Sequence, residues 1–313
     1  MVRELFSLGM SSLLWVHTSL YHPTFPPLPI LREERATLPQ ALTLPVKRPG
    51  AQEMPAVRAA SIYAVDLTSG EVLISRSPEK RLFPASTTKM MTGLLALETY
   101  DMSKVASIGA SVVRDGRIMW LVPGEQIAYK DLVTATLVHS ANDAAQVLAD
   151  LYPGGSTAFV ERMNERAAEL SMKQTTFTNP SGLFSPRHVT SVRDLVHLTR
   201  VAMTNPTFAS IVASKSATVT SVDGKIVHRL ESTNQLLGKV AGVEGVKTGW
   251  TEDAGECLVT QVTRDGHTVV IALLSSPDRF GETTKLIEWI YETYEWKTQS
   301  VADWGKDLST DTL

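Results

Sequence analysis

The 313-residue chain has a single cysteine, Cys257, which excludes a disulfide within one chain and any multi-cysteine metal site. Its apolar, strand-like surroundings indicate a core residue. The seven histidines show no paired spacing of the kind that metal ligands adopt, so we expect neither a metal nor another cofactor. Excess positive charge is also absent. The net charge of -3 argues against a polyanionic partner such as nucleic acid.

Near the N-terminus, one mostly apolar run covers residues 5–20 and follows Arg3. It is short for a membrane span and fits either a secretory signal or a membrane anchor. No clear small-residue cleavage site follows, so both alternatives stay open. We therefore expect residues 1–22 to be a signal peptide or an anchor in the cytoplasmic membrane, and the protein to be exported.

Proline is unevenly distributed along the chain. Half of the 16 prolines lie within residues 23–56, a composition that predicts an extended linker and not a packed element. We expect one folded domain over residues 57–296, followed by a polar tail over residues 297–313. The 43% hydrophobic content is enough for a large core.

Strand patterns occur at both ends of this domain. A hairpin is predicted over residues 61–75, and apolar strand patterns return at 257–262 and 269–274. Helical periodicity dominates between them and recurs at 283–294. This order predicts an α/β (α+β) fold, in which an antiparallel sheet is closed by the two ends of the domain and flanked by helices.

The most informative motif is Ser86-Thr87-Thr88-Lys89, at the start of a predicted helix. Residues three apart share one helix face, so the Lys89 amine can reach the Ser86 hydroxyl. The following run, Met90 to Leu97, is apolar nearly all round and predicts a buried helix. Burial lowers the pKa of an amine. The spacing therefore predicts that Lys89 is a base that activates Ser86 as a nucleophile.

Two further motifs follow in the chain. Ser140-Ala141-Asn142 lies between two helical patterns, so it presents a hydroxyl and an amide at a turn. Lys247-Thr248-Gly249 follows a glycine-rich stretch and precedes a turn and a strand, which predicts a lysine and a hydroxyl on an edge strand. Each tripeptide alone is weak evidence. All three motifs in this order would rarely occur together by chance.

Together the motifs resemble those of the penicillin-binding D-alanyl-D-alanine carboxypeptidases of low molecular mass, in the serine beta-lactamase and DD-peptidase superfamily. The resemblance covers residues 59–294 and includes Pro123-Gly124-Glu125 and Thr178 to Leu183. It departs at Ala141, where many members have glycine, and at Ser181, where histidine is frequent. The resemblance implies a DD-peptidase-like fold with a helical subdomain beside the sheet.

The resemblance also implies a function. The expected activity is that of a serine-type carboxypeptidase, which removes the terminal D-alanine of peptidoglycan stem peptides and is inhibited by beta-lactam antibiotics. Such an enzyme acts at the extracytoplasmic face of the membrane, in the periplasm or in the cell wall. A DD-endopeptidase that cuts peptidoglycan cross-links carries the same motifs and remains the alternative.

By this resemblance, Ser86 attacks the substrate, Lys89 accepts its proton and Ser140 returns a proton to the leaving amine. Backbone N–H groups of Ser86 and Trp250 stabilise the oxyanion. The terminal carboxylate requires a cationic pocket with a hydroxyl. The expected substrate-binding residues are Asn142, Lys247, Thr248, Gly249, Trp250 and Arg279.

Other classes fit less well. A phosphate-binding loop at residues 242–248 is disfavoured because Val246, not glycine, precedes the lysine and no helix follows it. A binding module without activity is disfavoured because all three motifs keep their functional groups. No Glu-x-x-Leu-Asn string lies between Asn142 and Lys247, which disfavours an efficient beta-lactamase and favours reuse of Lys89 in deacylation. His188 and Asp194 are expected to be structural.

Overall fold

The computed structural model of the protein describes residues 41–300. The strands are β1 Ala41–Lys47, β2 Ser61–Asp66, β3 Val72–Arg76, β4 Val105–Ser107, β5 Gln126–Ala128, β6 Ser216–Thr220, β7 Val227–Glu231, β8 Val243–Thr251, β9 Gly255–Arg264, β10 His267–Ser276 and β11 Tyr294–Ser300. The helices are α1 Lys89–Thr99, α2 Tyr129–Thr134, α3 Asn142–Asp150, α4 Gly155–Glu169, α5 Val192–Ala202, α6 Pro206–Val212 and α7 Arg279–Thr293. A 3-10 turn, Ala85–Thr88, precedes α1, and a π-helical segment, Ala135–His139, follows α2.

The central sheet has five antiparallel strands in the order β3-β2-β10-β9-β8. The hairpin β2–β3 comes from the start of the domain, and β8 to β10 come from its end. Strand β10 pairs with β2 and joins the two parts. The predicted α/β fold, with an antiparallel sheet closed by both ends of the domain, is confirmed. Strand β8 lies at the edge of the sheet, as the Lys247 motif predicts.

Both faces of this sheet are covered by hydrophobic core. Because side chains alternate along a strand, Val270, Ala272 and Leu274 of β10 face one core, and their neighbours Ile271 and Leu273 face the other. The first core lies against α1 and the other helices between β3 and β8. The second lies against α7. The sheet is therefore the middle layer of the domain.

Helix α1 enters the larger core, and its residues 89–96 are all buried. Its residues Met90, Met91 and Leu95 are fully buried, which confirms the prediction of a buried helix. At Gly93, a Cβ atom would lie only 2.8 Å from a methyl carbon of Leu137. Glycine at this position allows α1 to pack closely against the π-helical segment that leads to Ser140.

The boundaries of the predicted linker and tail differ from the structure. Strand β1 lies within the predicted linker, and it pairs antiparallel with β11, which enters the predicted tail. The ladder runs from Ala41 opposite Ser300 to Lys47 opposite Tyr294. The proline-rich composition misled the prediction, because Pro45 is accommodated in a two-stranded ladder where one side needs no N–H donor. The predicted segment 1–22, residues 23–40 of the linker and residues 301–313 of the tail lie outside the described residues.

Within residues 41–300, no helix combines the length and the apolar character that crossing a lipid bilayer requires.

Glu282 of α7 fixes the segment that leads into β2. Its buried carboxylate accepts hydrogen bonds from the backbone N–H groups of Arg58 and Ala59 and from the Ser276 hydroxyl.

We expect Glu282→Gln to lower the free energy of unfolding by about 2 kcal/mol, because an amide nitrogen would face backbone donors. Urea denaturation measures this loss. Glu288→Gln on the same helix is the control, since it breaks only a surface pair with Arg264 and should cost less than about 1 kcal/mol. Equal losses for the two variants would contradict the assignment.

Candidate active site

Ser86 lies on the 3-10 turn directly before α1, and this turn is held tightly. Ala85 adopts a left-handed backbone conformation with φ of 47°, which is unfavourable for alanine. The Thr88 hydroxyl donates to the Ala85 carbonyl at 2.8 Å. Gly182 packs on the same carbonyl so closely that a Cβ atom would lie 1.9 Å from its oxygen. The position of Ser86 is therefore fixed by tertiary packing.

Lys89 is completely buried next to Ser86. Its Nζ lies 3.0 Å from Ser86 Oγ, 2.6 Å from Asn142 Oδ1 and 2.5 Å from the Ser181 carbonyl oxygen. Burial, reinforced by the nearby charge of Lys247, holds the pKa of Lys89 well below its usual range, against a weaker opposing effect of Asp143. Lys89 therefore gives up a proton more readily than an exposed lysine does.

Three oxygen atoms surround Nζ, and in its ammonium form Lys89 donates to all three, Ser86 Oγ included. Once Lys89 has lost one proton, the amine keeps two hydrogens and gains a lone pair. The Asn142 amide donates from Nδ2 to the Asp115 carbonyl at 2.9 Å, which directs Oδ1 at Lys89. The Asn142 and Ser181 oxygens only accept, so they take both hydrogens. The lone pair is left for the Ser86 hydroxyl, the one neighbour of the three that can donate.

Ser140 and Asn142 come from the junction between the π-helical segment and α3. Ser140 has φ of 63°, a left-handed conformation that ends the segment and turns its side chain into the cleft. Asn142 donates from its backbone N–H to the Arg117 carbonyl at 2.7 Å. The predicted turn with a hydroxyl and an amide is present, and it adjoins Lys89.

Strand β8 forms the opposite wall of the site. Lys247 is 1% exposed, and its ammonium donates to the Thr248 carbonyl at 3.1 Å. Burial, with Arg279 and Arg117 as like charges, lowers its pKa to about 7. At Gly249, a Cβ atom would lie 2.9 Å from the Pro84 oxygen and 3.0 Å from the Ser86 nitrogen. The glycine of this motif thus allows β8 to lie beside the Ser86 turn.

Arg279 and Trp250 complete this wall. Arg279 is the first residue of α7 and donates from Nη1 to the Gly249 carbonyl at 2.7 Å. Its backbone N–H donates to the Glu256 carboxylate at 2.8 Å. Trp250 is 62% exposed and lies at the mouth of the cleft. The Thr248 hydroxyl is 2.6 Å from that of Thr233.

A cleft of about 780 Å³ connects these groups. The sequence-predicted residues that line it are Ser86, Ser140, Asn142, Thr248, Gly249, Trp250 and Arg279. The two remaining predicted residues, Lys89 and Lys247, are buried immediately behind its walls. The structure thus brings all the predicted site residues to one cleft. Within residues 41–300, no group of three or more His, Cys, Asp or Glu side chains lies close enough to hold a metal ion.

Sequence reasoning missed two contributions to the site. The Ser181 carbonyl contacts Lys89 through the backbone, so its side-chain identity carries no signal. The turn chemistry around it was visible, because Asn179 accepts from the N–H groups of Ser181 and Gly182. Arg117, which lines the cleft, lies in a loop with no recognisable pattern.

His188 and Asp194 lie behind the site, and neither lines the cleft. His188 Nδ1 accepts from the Thr178 N–H at 3.1 Å, so Nε2 donates to Thr88 Oγ1 at 2.8 Å. Burial, aided by Lys89, lowers the His188 pKa to about 4, so the ring is neutral near pH 7. It supports the Ser86 turn through Thr88. Asp194 accepts from the Gln174 N–H, and Ser191 caps α5.

Residues 48–277 match the family model described as D-alanyl-D-alanine carboxypeptidase. Among curated proteins, the chain is similar to D-alanyl-D-alanine carboxypeptidase DacF of Bacillus subtilis, with 31% identity over 76% of this chain and 63% of the relative. It thus spans less than two thirds of that relative. It is also similar to D-alanyl-D-alanine carboxypeptidase DacB2 of Mycobacterium tuberculosis, with 33% identity over 78% of this chain and 86% of the relative. A D-alanyl-D-alanine endopeptidase of Pseudomonas aeruginosa is 32% identical over 74% of this chain and 77% of that relative.

Solved structures give the same result for the fold. The D-alanyl-D-alanine carboxypeptidase of Mycobacterium tuberculosis superposes with a TM-score of 0.73 at 31% identity, covering 79% of this chain and 96% of that one. Penicillin-binding protein D2 of Listeria monocytogenes, in its ampicillin-bound form, superposes with a TM-score of 0.66 at 30% identity, covering 74% of this chain and 97% of that one.

The lowered pKa of Lys247 predicts a pH-dependent stability. Between pH 7 and 10 the folded state holds fewer protons at Lys247 than the unfolded state, whose lysines titrate near ~10.4. The free energy of unfolding should therefore rise with pH in this window, by up to about 1.4 kcal/mol per pH unit. We expect Lys247→Met to remove this contribution in urea titrations at several pH values. Lys225→Met, which removes an exposed ammonium, should keep the wild-type slope. If the free energy of unfolding of Lys247→Met rose with pH as steeply as that of the wild type, the prediction would be contradicted.

Proposed function

The chain belongs to the D-alanyl-D-alanine carboxypeptidase family, and from this membership we propose that it removes the terminal D-alanine from peptidoglycan stem peptides through an acyl-enzyme on Ser86. One observation carries the proposal. Lys89 Nζ lies 3.0 Å from Ser86 Oγ and contacts two further oxygens that can only accept, so the deprotonated Lys89 amine turns its lone pair to the Ser86 hydroxyl. This arrangement makes Lys89 a base and Ser86 a nucleophile without a histidine.

Acylation proceeds by attack of Ser86 Oγ on the carbonyl carbon of the penultimate D-alanine. The hydroxyl proton passes to Lys89 Nζ as the new C–O bond forms. The backbone N–H groups of Ser86 and Trp250, on adjoining segments, stabilise the oxyanion. The C–N bond then breaks, and Ser140 delivers a proton to the leaving amine, with Lys89 as its source. An ester on Ser86 and free D-alanine result.

The free carboxylate of the leaving D-alanine binds at the β8 wall. Lys247, Arg279 and the Thr248 hydroxyl lie there, and no carboxylate within residues 41–300 forms an ion pair with either cation. Because the pKa of Lys247 is about 7, an incoming carboxylate favours its charged form. This cationic wall favours a substrate with a free terminus.

Deacylation reuses Lys89. Glu161 and Asn164, the nearest match to the deacylating motif of beta-lactamases, lie on α4, and neither lines the cleft. Water is therefore activated by the Lys89 amine once it has returned its proton. A beta-lactam acyl-enzyme, whose leaving group stays tethered, is expected to be long-lived. The ampicillin-bound relative supports beta-lactam binding.

The proposed substrate also bears on location and extent. Peptidoglycan lies outside the cytoplasmic membrane, so we place the activity on the extracytoplasmic side, with residues 1–22 as export signal or anchor. The catalytic domain is proposed to extend over residues 41–300, because β1 and β11 pair with each other. Cutting of cross-links is the second candidate, and the Pseudomonas relative named as an endopeptidase favours testing it.

The decisive test is D-alanine release from diacetyl-L-Lys-D-Ala-D-Ala by the purified chain. We expect turnover by the wild type and a loss of at least about 10³-fold in Ser86→Ala, because the nucleophile is removed. Covalent labelling by fluorescent penicillin should disappear in the same variant. Ser111→Ala, an exposed serine outside the cleft, is the control and should keep both activities.

Two outcomes separate the alternatives. Full penicillin labelling of Ser86→Ala would overturn the nucleophile assignment. Labelling of the wild type without D-alanine release, combined with cleavage of a cross-linked dimeric peptide, would identify the endopeptidase. Circular dichroism of each variant checks that the fold is retained.

A further inference from the structure

Arg117 brings a third cation to the catalytic cleft. Its side chain is exposed and lines the cleft with Ser140 and Asn142. Within residues 41–300, no carboxylate lies within ion-pair distance of its guanidinium. Three acidic residues, Glu231, Glu252 and Glu256, line the same cleft without pairing with it.

The backbone that carries Arg117 is fixed to the site. Its carbonyl accepts the Asn142 N–H at 2.7 Å, and the Asp115 carbonyl accepts from the Asn142 side chain at 2.9 Å. A Cβ atom on Gly116 would lie 2.5 Å from Asn142 Nδ2, so the loop touches that amide directly. The Asp143 carboxylate accepts the Met119 N–H at 3.0 Å. Arg117 is thus a cation on an anchored loop, not on a free one.

A neighbouring arginine shows the contrast. Arg114, on the same loop, donates to the Leu121 carbonyl at 2.7 Å, and its guanidinium lies 5.9 Å from the centre of the Trp120 ring. These contacts explain Arg114 as a structural residue. No comparable contact occupies the guanidinium of Arg117 within residues 41–300.

The charged residues around the cleft explain why Arg117 is suited to bind an anionic ligand. Lys247 and Arg279 lie on the β8 wall; burial lowers the pKa of both, and the charge of Arg117 is close enough to add to that effect. None of the three glutamates of the cleft forms an ion pair with these cations, so a bound carboxylate would supply a pairing that they lack. The terminal carboxylate of the substrate pairs with the β8 wall. Arg117 lies on the other wall, beside Asn142, which orients the acyl side.

We propose that Arg117 binds a second carboxylate of the stem peptide, on the acyl side of the scissile bond, and selects stems that carry one there. This inference rests on the proposed carboxypeptidase function. Two groups have this chemistry: the side-chain carboxylate of a diaminopimelyl residue and the α-carboxylate of a γ-linked glutamate. Arginine suits either one, because its planar guanidinium can bind a carboxylate through two parallel hydrogen bonds.

The test compares D-alanine release from four substrates by the full chain and by Arg117→Gln. The first is L-Ala-γ-D-Glu-diaminopimelyl-D-Ala-D-Ala with both carboxylates free. The second and third carry an amide in place of one carboxylate each, and the fourth is diacetyl-L-Lys-D-Ala-D-Ala. Arg200→Gln, an exposed arginine at the end of α5 that does not line the cleft, is the matched control.

We expect the wild type to prefer the free-carboxylate substrate over one amidated substrate by about tenfold in kcat/KM, mainly through KM. Arg117→Gln should abolish that preference, and Arg200→Gln should keep it. The amidation that removes the preference identifies which carboxylate Arg117 binds. An equal loss on all four substrates would assign Arg117 to the terminal carboxylate or to folding and overturn the proposal. An unchanged preference in Arg117→Gln would overturn it as well.

Binding without turnover separates this inference from the proposed function. Equilibrium binding of the free and amidated pentapeptides is measured on Ser86→Ala, with and without Arg117→Gln. A tenfold weaker binding of the free-carboxylate peptide in the double variant supports the role of Arg117 even if the wild type releases no D-alanine. Equal binding of all peptides contradicts it, whatever the activity.

Discussion

The site depends on the burial of one amine. Lys89 lies at the buried start of α1, where desolvation holds its pKa well below the usual range. Two fixed oxygens, from Asn142 and Ser181, accept its hydrogens and leave its lone pair for Ser86. Moving either oxygen would leave a buried donor unsatisfied, which is costly. The same hydrogen bonds therefore join three distant parts of the chain and hold the amine proposed as the base.

Close backbone approach is the second constraint. Gly182 and Gly249 allow two separate segments to pack against the Ser86 turn, one on the Ala85 carbonyl and one beside the Ser86 nitrogen. The left-handed conformation of Ala85 is tolerated because these contacts and the Thr88 hydroxyl surround it. Behind them, the neutral His188 completes the support. The nucleophile is thus positioned by packing around the turn, more than by the turn itself.

The cations of the cleft lie on two of its walls. Lys247 and Arg279 lie on the β8 side, whereas Arg117 lies beside Asn142. Burial lowers the pKa of Lys247, and repulsion from Arg279 and Arg117 adds to that effect. The proposed attraction for substrate carboxylates draws on the same three cations.

The local sequence pattern determined four features: the β2–β3 hairpin, the buried helix α1, the edge position of Lys247 and the i, i+3 pairing of Ser86 with Lys89. Each of these depends on near neighbours in the chain or on the periodicity of one helix or strand. Tertiary structure alone decided the rest. The Ser181 carbonyl reaches Lys89 across 92 residues, and every residue has such a carbonyl. The ladder between β1 and β11 joins segments some 250 residues apart, beyond any local pattern. Arg117 enters the cleft because its loop is bonded to α3, and no spacing along the chain encodes that contact.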